Sequence, residues 1–127
     1  MEAFTIAEAA ERTGLTTDTL RYYERDGLLL GPVRRSSSGH RRYAAADLAW
    51  ITLITRLRAT GMPIRDVRRY AELVRDGDGN EADRLDLLHA HREQVLAQLA
   101  EVTAHLEAIN LKIGVYEERL AATELSA

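Results

Sequence analysis

The chain has no cysteine and only two prolines and eight glycines among its 127 residues. Without thiols it cannot form disulfides, thiolate metal sites or iron–sulfur clusters, and it cannot sense oxidants through a thiol. The scarcity of proline and glycine, which interrupt helices, predicts a mainly helical protein. No apolar run is long enough to span a membrane and no signal-peptide pattern opens the chain, so we expect a cytoplasmic protein.

Residue patterns for catalysis and metal binding are also missing. We find no carboxylate pair, no nucleophile beside a base and no phosphate-cradling loop, so we predict no enzyme, no catalytic residue and no cofactor. His89 and His91 point to different sides of a helix, and His105 lies fourteen residues beyond His91. Solvated side chains are therefore expected here, with no metal site.

The net charge of −3 divides unevenly along the chain. Residues 1–75 hold 13 basic and 9 acidic side chains, a net charge of +4, whereas residues 76–127 hold 4 and 11, a net charge of −7. A basic segment of this kind is what neutralisation of nucleic-acid phosphates requires. The N-terminal part is thus the expected site of any nucleic-acid contact.

Two short amphipathic helices are predicted near the N-terminus. Thr5 and Glu8 have the spacing of a capping box, and Gly14 offers a stop for the first helix. Thr16 can cap a second helix that runs to Asp26, followed by Gly27. Such a pair forms a helix-turn-helix, whose second helix can lie in the DNA major groove. Residues 34–43 then form a predicted two-stranded wing with a basic, hydroxyl-rich tip.

Two stretches carry a family resemblance: TIAEAAERTGLTTDTLRYYERDGLL at residues 5–29 and SGHRRY at residues 38–43. They resemble the DNA-binding domain of the MerR family of bacterial transcriptional regulators, and residues 47–67 resemble the family's second helix pair. The resemblance implies a regulator that binds a palindromic promoter operator as a homodimer and distorts this double-stranded DNA, which affects RNA polymerase indirectly. His40 stands where the family usually has an aromatic residue.

The rest of the first domain, residues 1–75, is predicted to contain two more helices. The third runs from about Ala45 to Thr60, and the fourth starts near Pro63. Residues 76–80 are interpreted as a hinge in which Asn80 caps the next helix. A tail of residues 121–127 ends the chain.

A seven-residue apolar repeat predicts that residues 81–120 form a coiled-coil dimerisation helix. The repeat spans five heptads from Leu85 to Leu120, and Arg92 is its one charged member. Arg92 either fixes the register of the pair or lies at a frayed edge. A helix folded back on the first domain would leave much of the stripe bare, and the family resemblance implies antiparallel pairing. The predicted dimerisation residues are Leu88, Val95, Leu99, Val102, Leu106, Ile109, Ile113 and Tyr116.

The predicted DNA contacts form three groups that can donate hydrogen bonds or positive charge to DNA. On the second helix they are Thr16, Thr17, Thr19, Arg21, Tyr22 and Tyr23. Of the two adjacent tyrosines, we expect one to pack in the core and the other, with Tyr22 favoured, to reach DNA. On the wing they are Arg34, Arg35, Ser38, Gly39, His40, Arg41, Arg42 and Tyr43, and on the fourth helix Arg65.

Two questions stay open at the level of the sequence. The chain resembles a short branch of the family without a separate effector domain, and Arg56 stands where some of those members carry a reactive cysteine. A small-molecule effector near Met62, Tyr70 and the partner's coil end is a hypothesis. The alternative function is a coiled-coil adaptor or assembly protein whose basic wing binds a protein partner.

Overall fold

The computed structural model describes residues 3–126 and contains five helices and three short strands within that range. In chain order these elements are β1 (Ala3–Phe4), α1 (Ile6–Thr13), α2 (Thr17–Arg25), β2 (Arg34–Arg35), β3 (Arg41–Ala44), α3 (Ala45–Ala59), α4 (Ile64–Arg75) and α5 (Glu81–Ser126). Residues 1, 2 and 127, which the predicted domain boundaries include, lie outside the described residues. The mainly helical prediction is confirmed.

The predicted starts and stops of the first two helices are confirmed. Thr5 Oγ1 accepts a hydrogen bond from Glu8 N at 3.1 Å, and Glu8 Oε1 accepts one from Thr5 N at 3.0 Å. This capping box holds the pKa of Glu8 below its ordinary value, since the hydrogen bond from the Thr5 backbone favours the carboxylate. Gly14 and Gly27, the residues that follow the two helices, adopt left-handed φ angles of 74° and 72°.

The three strands form one small antiparallel sheet with β3 in the middle. β2 and β3 are the predicted wing, and Gly39 turns its tip with a φ of 84°. β1 was not predicted. It pairs Phe4 with Tyr43 across the sheet and so joins the N-terminus to the base of the wing.

A single apolar core lies between the sheet and the first four helices. Trp50 on α3 is central to it, because its Nε1 donates to Leu28 O at 2.8 Å and its ring stacks on Tyr70 with centroids 5.6 Å apart. The loop after α2 is therefore attached directly to α3. The buried members are Phe4, Ala9, Leu20, Tyr23, Leu28, Tyr43, Trp50, Ile51, Ile54, Leu57, Met62, Val67 and Ala71.

The chain divides into two compact units inside α5, at His89 and Ala90. The first turns of α5 belong with the N-terminal unit, and the hinge at residues 76–80 stays a prediction. There Leu88 packs against the core, and Asn80 Nδ2 donates to Leu73 O at 2.9 Å. Asn80 O accepts the backbone hydrogen bond of Arg84 N at 3.1 Å, so Asn80 stands directly before α5, while its side-chain Oδ1 accepts from Arg84 Nε at 2.7 Å.

The second unit is the remainder of α5, a continuous helix with an exposed apolar stripe. Leu99 and Val102 are 60% and 62% exposed, and Leu106 is 53% exposed. Tyr116 lies below two cations, with Lys112 Nζ 5.3 Å and Arg119 Cζ 5.7 Å from its ring centroid. Among residues 3–126, no helix combines the length and apolarity needed to cross a membrane.

Candidate nucleic-acid interface

Helix α2 is positioned by its apolar face, which leaves its polar face exposed. Leu20 and Tyr23 are buried, whereas Tyr22 is 41% exposed. The two adjacent tyrosines therefore face different ways, as expected from helical geometry. Their ring centroids lie 6.1 Å apart. Tyr22 can reach a ligand in front of α2, whereas Tyr23, at 7% exposure, is mainly a core residue.

The threonines at the start of α2 shape the helix end. Thr16 Oγ1 accepts a hydrogen bond from Thr19 N at 3.1 Å and donates to Thr19 Oγ1 at 2.9 Å. The Thr16 hydroxyl thus caps the helix, and Thr17 Oγ1 accepts from Arg21 Nη1 at 3.5 Å. Of the three predicted threonine contacts, Thr16 also has a structural role.

Arg21 is held loosely on the polar face of α2. Its Nη1 lies 3.1 Å from Asp18 Oδ1, and the side chains are 42% and 93% exposed. An exposed ion pair of this kind contributes only about 0.2–1 kcal/mol. The guanidinium can therefore exchange Asp18 for a phosphate or a guanine edge at little cost.

Glu24 joins the wing to α2. Its Oε1 accepts a hydrogen bond from Arg41 Nε at 2.8 Å, and Arg35 Nη2 lies 4.0 Å from its Oε2. Only about a fifth of the Arg41 and Glu24 side chains is exposed. The structure shows that Arg41 anchors the wing against α2, and its contact with DNA stays a prediction.

Tyr43 is a correction to the predicted contacts. Its side chain is 1% exposed and lies in the core, so it presents no surface to a nucleic acid. The hydroxyl is buried without a hydrogen-bond partner among the described residues, and burial raises the pKa of Tyr43 above its ordinary value. The prediction failed because Phe4 of the unpredicted strand β1 is the register partner of Tyr43.

The wing tip carries the remaining predicted residues on its surface. Ser38 Oγ lies 2.9 Å from Ser36 Oγ, and Arg42 Nη1 donates to Arg41 O at 3.2 Å. Arg34, Ser38, Gly39 and His40 are exposed, and Arg42 is partly exposed. Arg65, on the first turn of α4, is 83% exposed and has Asp66 Oδ1 at 3.8 Å.

An open concavity of about 320 Å³ lies between the wing, α2 and the start of α1. Four arginines of α2 and the wing line it, together with residues at the start of α1. Sequence reasoning missed this contribution of α1, although the capping box marks that helix start. The lining residues are Thr5, Ile6, Ala7, Arg21, Arg35, Gly39, His40, Arg41 and Arg42.

The hypothetical effector site gains no support from the structure. Met62 is fully buried and Tyr70 stacks on Trp50, so both side chains near the hypothetical effector site are engaged in packing. Within residues 3–126, no three His, Asp or Glu side chains are grouped so that they could hold a metal ion.

Comparisons with known proteins agree with this arrangement. Residues 4–73 match the MerR HTH family regulatory protein profile, and residues 48–111 match the MerR DNA-binding profile. A Haemophilus influenzae protein named as an uncharacterized HTH-type transcriptional regulator is 36% identical over 124 residues, covering 98% of this chain and 91% of that protein. The Bacillus subtilis regulator AdhR is 40% identical over 91 residues, which cover 72% of this chain and 64% of AdhR.

Solved structures show the same fold. HiNmlR, described as a MerR family regulator lacking the sensor domain and bound to promoter DNA, is 38% identical with a TM-score of 0.78. The match covers 84% of this chain and 80% of HiNmlR. A MerR family protein of Listeria monocytogenes is 33% identical with a TM-score of 0.86, and the match covers 95% of this chain and 91% of that one.

Proposed function

Because the chain belongs to the MerR family of helix-turn-helix regulatory proteins, it is a DNA-binding transcriptional regulator, and we propose that it binds a two-fold symmetric promoter operator as a homodimer. The observation that carries the proposal is the joining of the wing to α2 through Glu24, which holds the exposed basic residues of both elements on one surface. The proposal includes no catalytic step, and action on a bacterial promoter places the protein in the cytoplasm.

On DNA, the exposed face of α2 enters the major groove and the wing follows the adjacent sugar-phosphate edge. Arg21 and Tyr22 supply the groove contacts, since both are accessible on the face opposite the core. The arginine-lined concavity supplies backbone contacts, because guanidinium groups bind phosphate strongly. HiNmlR, with which this chain shares its fold, was solved bound to promoter DNA, which supports this mode.

The apolar stripe of α5 supports the homodimer. An apolar face with side chains more than half exposed is costly for a protein that remains a monomer, and a seven-residue repeat is suited to pairing with another helix. The simplest partner is a second copy of this chain, paired with the first in an antiparallel coiled coil. The coil then fixes the separation of the two α2 helices, so the protein sets the half-site spacing.

Distortion of the operator completes the proposal. A dimer with fixed spacing can bend and untwist a promoter whose elements are too widely spaced for RNA polymerase, which then engages both elements. Such deformation costs on the order of 1–6 kcal/mol, and contacts from the wing arginines to the DNA backbone would offset it. RNA polymerase is in this view an indirect partner.

Footprinting of the purified protein on genomic promoter fragments tests the proposal. We expect two protected half-sites, enhanced cleavage between them, and a complex that weakens steeply as salt rises. Protection without sequence preference, or no protection at all, would contradict a sequence-specific regulator.

A further inference from the structure

The C-terminal end of α2 is held by an arginine of α4. Arg68 Nε lies 3.1 Å from Asp26 Oδ2, and Arg68 Nη2 lies 2.7 Å from Oδ1 and 2.6 Å from Oδ2. Asp26 is the C-cap residue of α2. The planar guanidinium matches the carboxylate with two nitrogens, which fixes the angle between the groups as well as their distance.

A second arginine of α4 holds the loop that follows. Arg75 Nη1 donates to Gly27 O at 2.9 Å and to Leu29 O at 2.6 Å. Arg68 and Arg75 are seven positions apart, so they lie on the same face of α4. The C-terminal end of α2 and the carbonyl groups of Gly27 and Leu29 therefore all contact the same face of α4.

The same helix α4 is connected to the first turns of α5. Arg84 donates to Leu73 O at 3.3 Å and, by a shorter contact, to Gly77 O. Arg84 Nε also donates to Asn80 Oδ1 at 2.7 Å. A continuous series of polar contacts thus runs from α2 through α4 to the start of the helix that carries the apolar stripe, all within the N-terminal unit.

We propose that Arg68 and Arg75 are positioning residues that set which half-site spacing the dimer accepts, by fixing the orientation of α2 relative to the start of α5. The inference rests on the proposed dimeric operator binding. Each added base pair rotates a half-site by roughly 35° about the DNA axis, because about 10–10.5 base pairs complete a turn. An α2 helix bound to α4 resists that rotation, whereas one without these contacts can follow part of it, within the limits set by the packing of Leu20 and Tyr23 in the core.

Loss of the contact between Arg68 and Asp26 should affect the choice of operator more than it affects the stability of the protein. Even a well-formed but partly exposed ion pair supplies only a small part of the free energy of unfolding, so we expect its removal to leave the protein folded. Its directional geometry, in contrast, is lost entirely when the guanidinium is removed. The expected defect is therefore in discrimination between operators.

The test compares full-length variants on a set of operators. The footprinted operator is compared with derivatives that have one or two base pairs inserted or deleted between the half-sites, and dissociation constants are measured for each. For Arg68→Ala and Arg75→Ala we expect the preference for native spacing to fall by roughly fivefold, about 1 kcal/mol. Arg68→Lys, which keeps the charge but loses the two-nitrogen geometry, should behave like Arg68→Ala.

Arg69→Ala is the matched control, since Arg69 also lies on α4 but its charge faces Glu72 of the same helix at 3.7 Å. It should retain the wild-type preference, and thermal melts verify that every variant is folded. If Arg68→Ala weakens binding to all spacings by one common factor, the positioning role is refuted while operator binding stands. A wild-type protein that binds no operator, or binds all spacings equally, would instead refute the proposed function.

Discussion

At the scale of single residues, Glu24 determines how the wing arginines differ from one another. Arg41 donates to Glu24 at 2.8 Å, whereas the Arg42 guanidinium donates to a main-chain carbonyl. The positive charge of Arg41 is already balanced by Glu24 before any DNA is bound. Two neighbouring arginines on one strand therefore have different expected effects on DNA binding.

Arg42→Ala should weaken binding to all sequences and reduce the slope of log affinity against log salt by about one unit, because one phosphate contact is lost. Arg41→Ala should weaken binding with a smaller change in slope, since its main effect is to release the wing. Gel shifts across a salt series measure both quantities.

Arg56→Ala serves as the control for charge, since it removes one exposed positive charge from α3, outside the predicted contacts. A slope that changes equally in Arg41→Ala and Arg42→Ala would show that Arg41 is an ordinary phosphate contact and that Glu24 releases it on binding.

The sequence was sufficient to predict which way some side chains of the site face, but not others. The division of Tyr22 and Tyr23 between surface and core follows from helical spacing alone. The burial of Tyr43 does not, because it depends on pairing with β1, some forty residues earlier in the chain. The contact between Arg41 and Glu24 likewise joins a strand and a helix that no local pattern brings together.

At the scale of elements, features that depend on nearby residues were again predictable from the sequence, whereas features that depend on distant contacts were not. Thr5, Glu8 and Gly14 lie within ten residues of one another, so their capping roles were predictable from the sequence. Asn80 illustrates the opposite case, since its Nδ2 donates to Leu73 O, a contact with the end of α4 that no local pattern indicates. The attachment of the first turns of α5 to the N-terminal unit has the same origin, since Arg84 donates to Leu73 O and Leu88 packs against the core.

Thr16→Ala tests the start of α2. Loss of its side-chain cap should lower the free energy of unfolding by about 1 kcal/mol, and operator affinity should fall with it because the first turn of α2 frays. Chemical denaturation at a fixed protein concentration measures the first effect.

Thr16→Ser is the matched variant, since it keeps the hydroxyl that accepts from Thr19 N. It should retain both stability and affinity. If Thr16→Ala loses operator affinity with no loss of stability, Thr16 acts by touching DNA and its capping role is secondary.

At the scale of the whole molecule, self-association decides whether two operator half-sites are held together. Leu106→Asp places a charge in the middle of the apolar stripe of α5, where Leu106 is 53% exposed in the single chain. Pairing would bury that carboxylate without a partner, so we expect the dimer to dissociate and operator affinity to fall. Light scattering measures the molecular mass in solution and so distinguishes the dimer from the monomer.

Ala104→Asp is the control, because it adds the same charge at an exposed position on the opposite face of α5. It should remain dimeric. A Leu106→Asp protein that keeps the dimer mass would refute the coiled-coil assignment.

The position of Trp50 has a practical consequence for following these changes. It is the only indole of the chain, it lies in the N-terminal unit, and it is held by Leu28 O and the Tyr70 ring. Its fluorescence emission therefore reports melting of that unit, whereas far-ultraviolet ellipticity also includes the 46-residue helix α5, which is about as long as α1 to α4 together. Recording both signals during one thermal scan separates loss of the long helix from loss of the DNA-binding core.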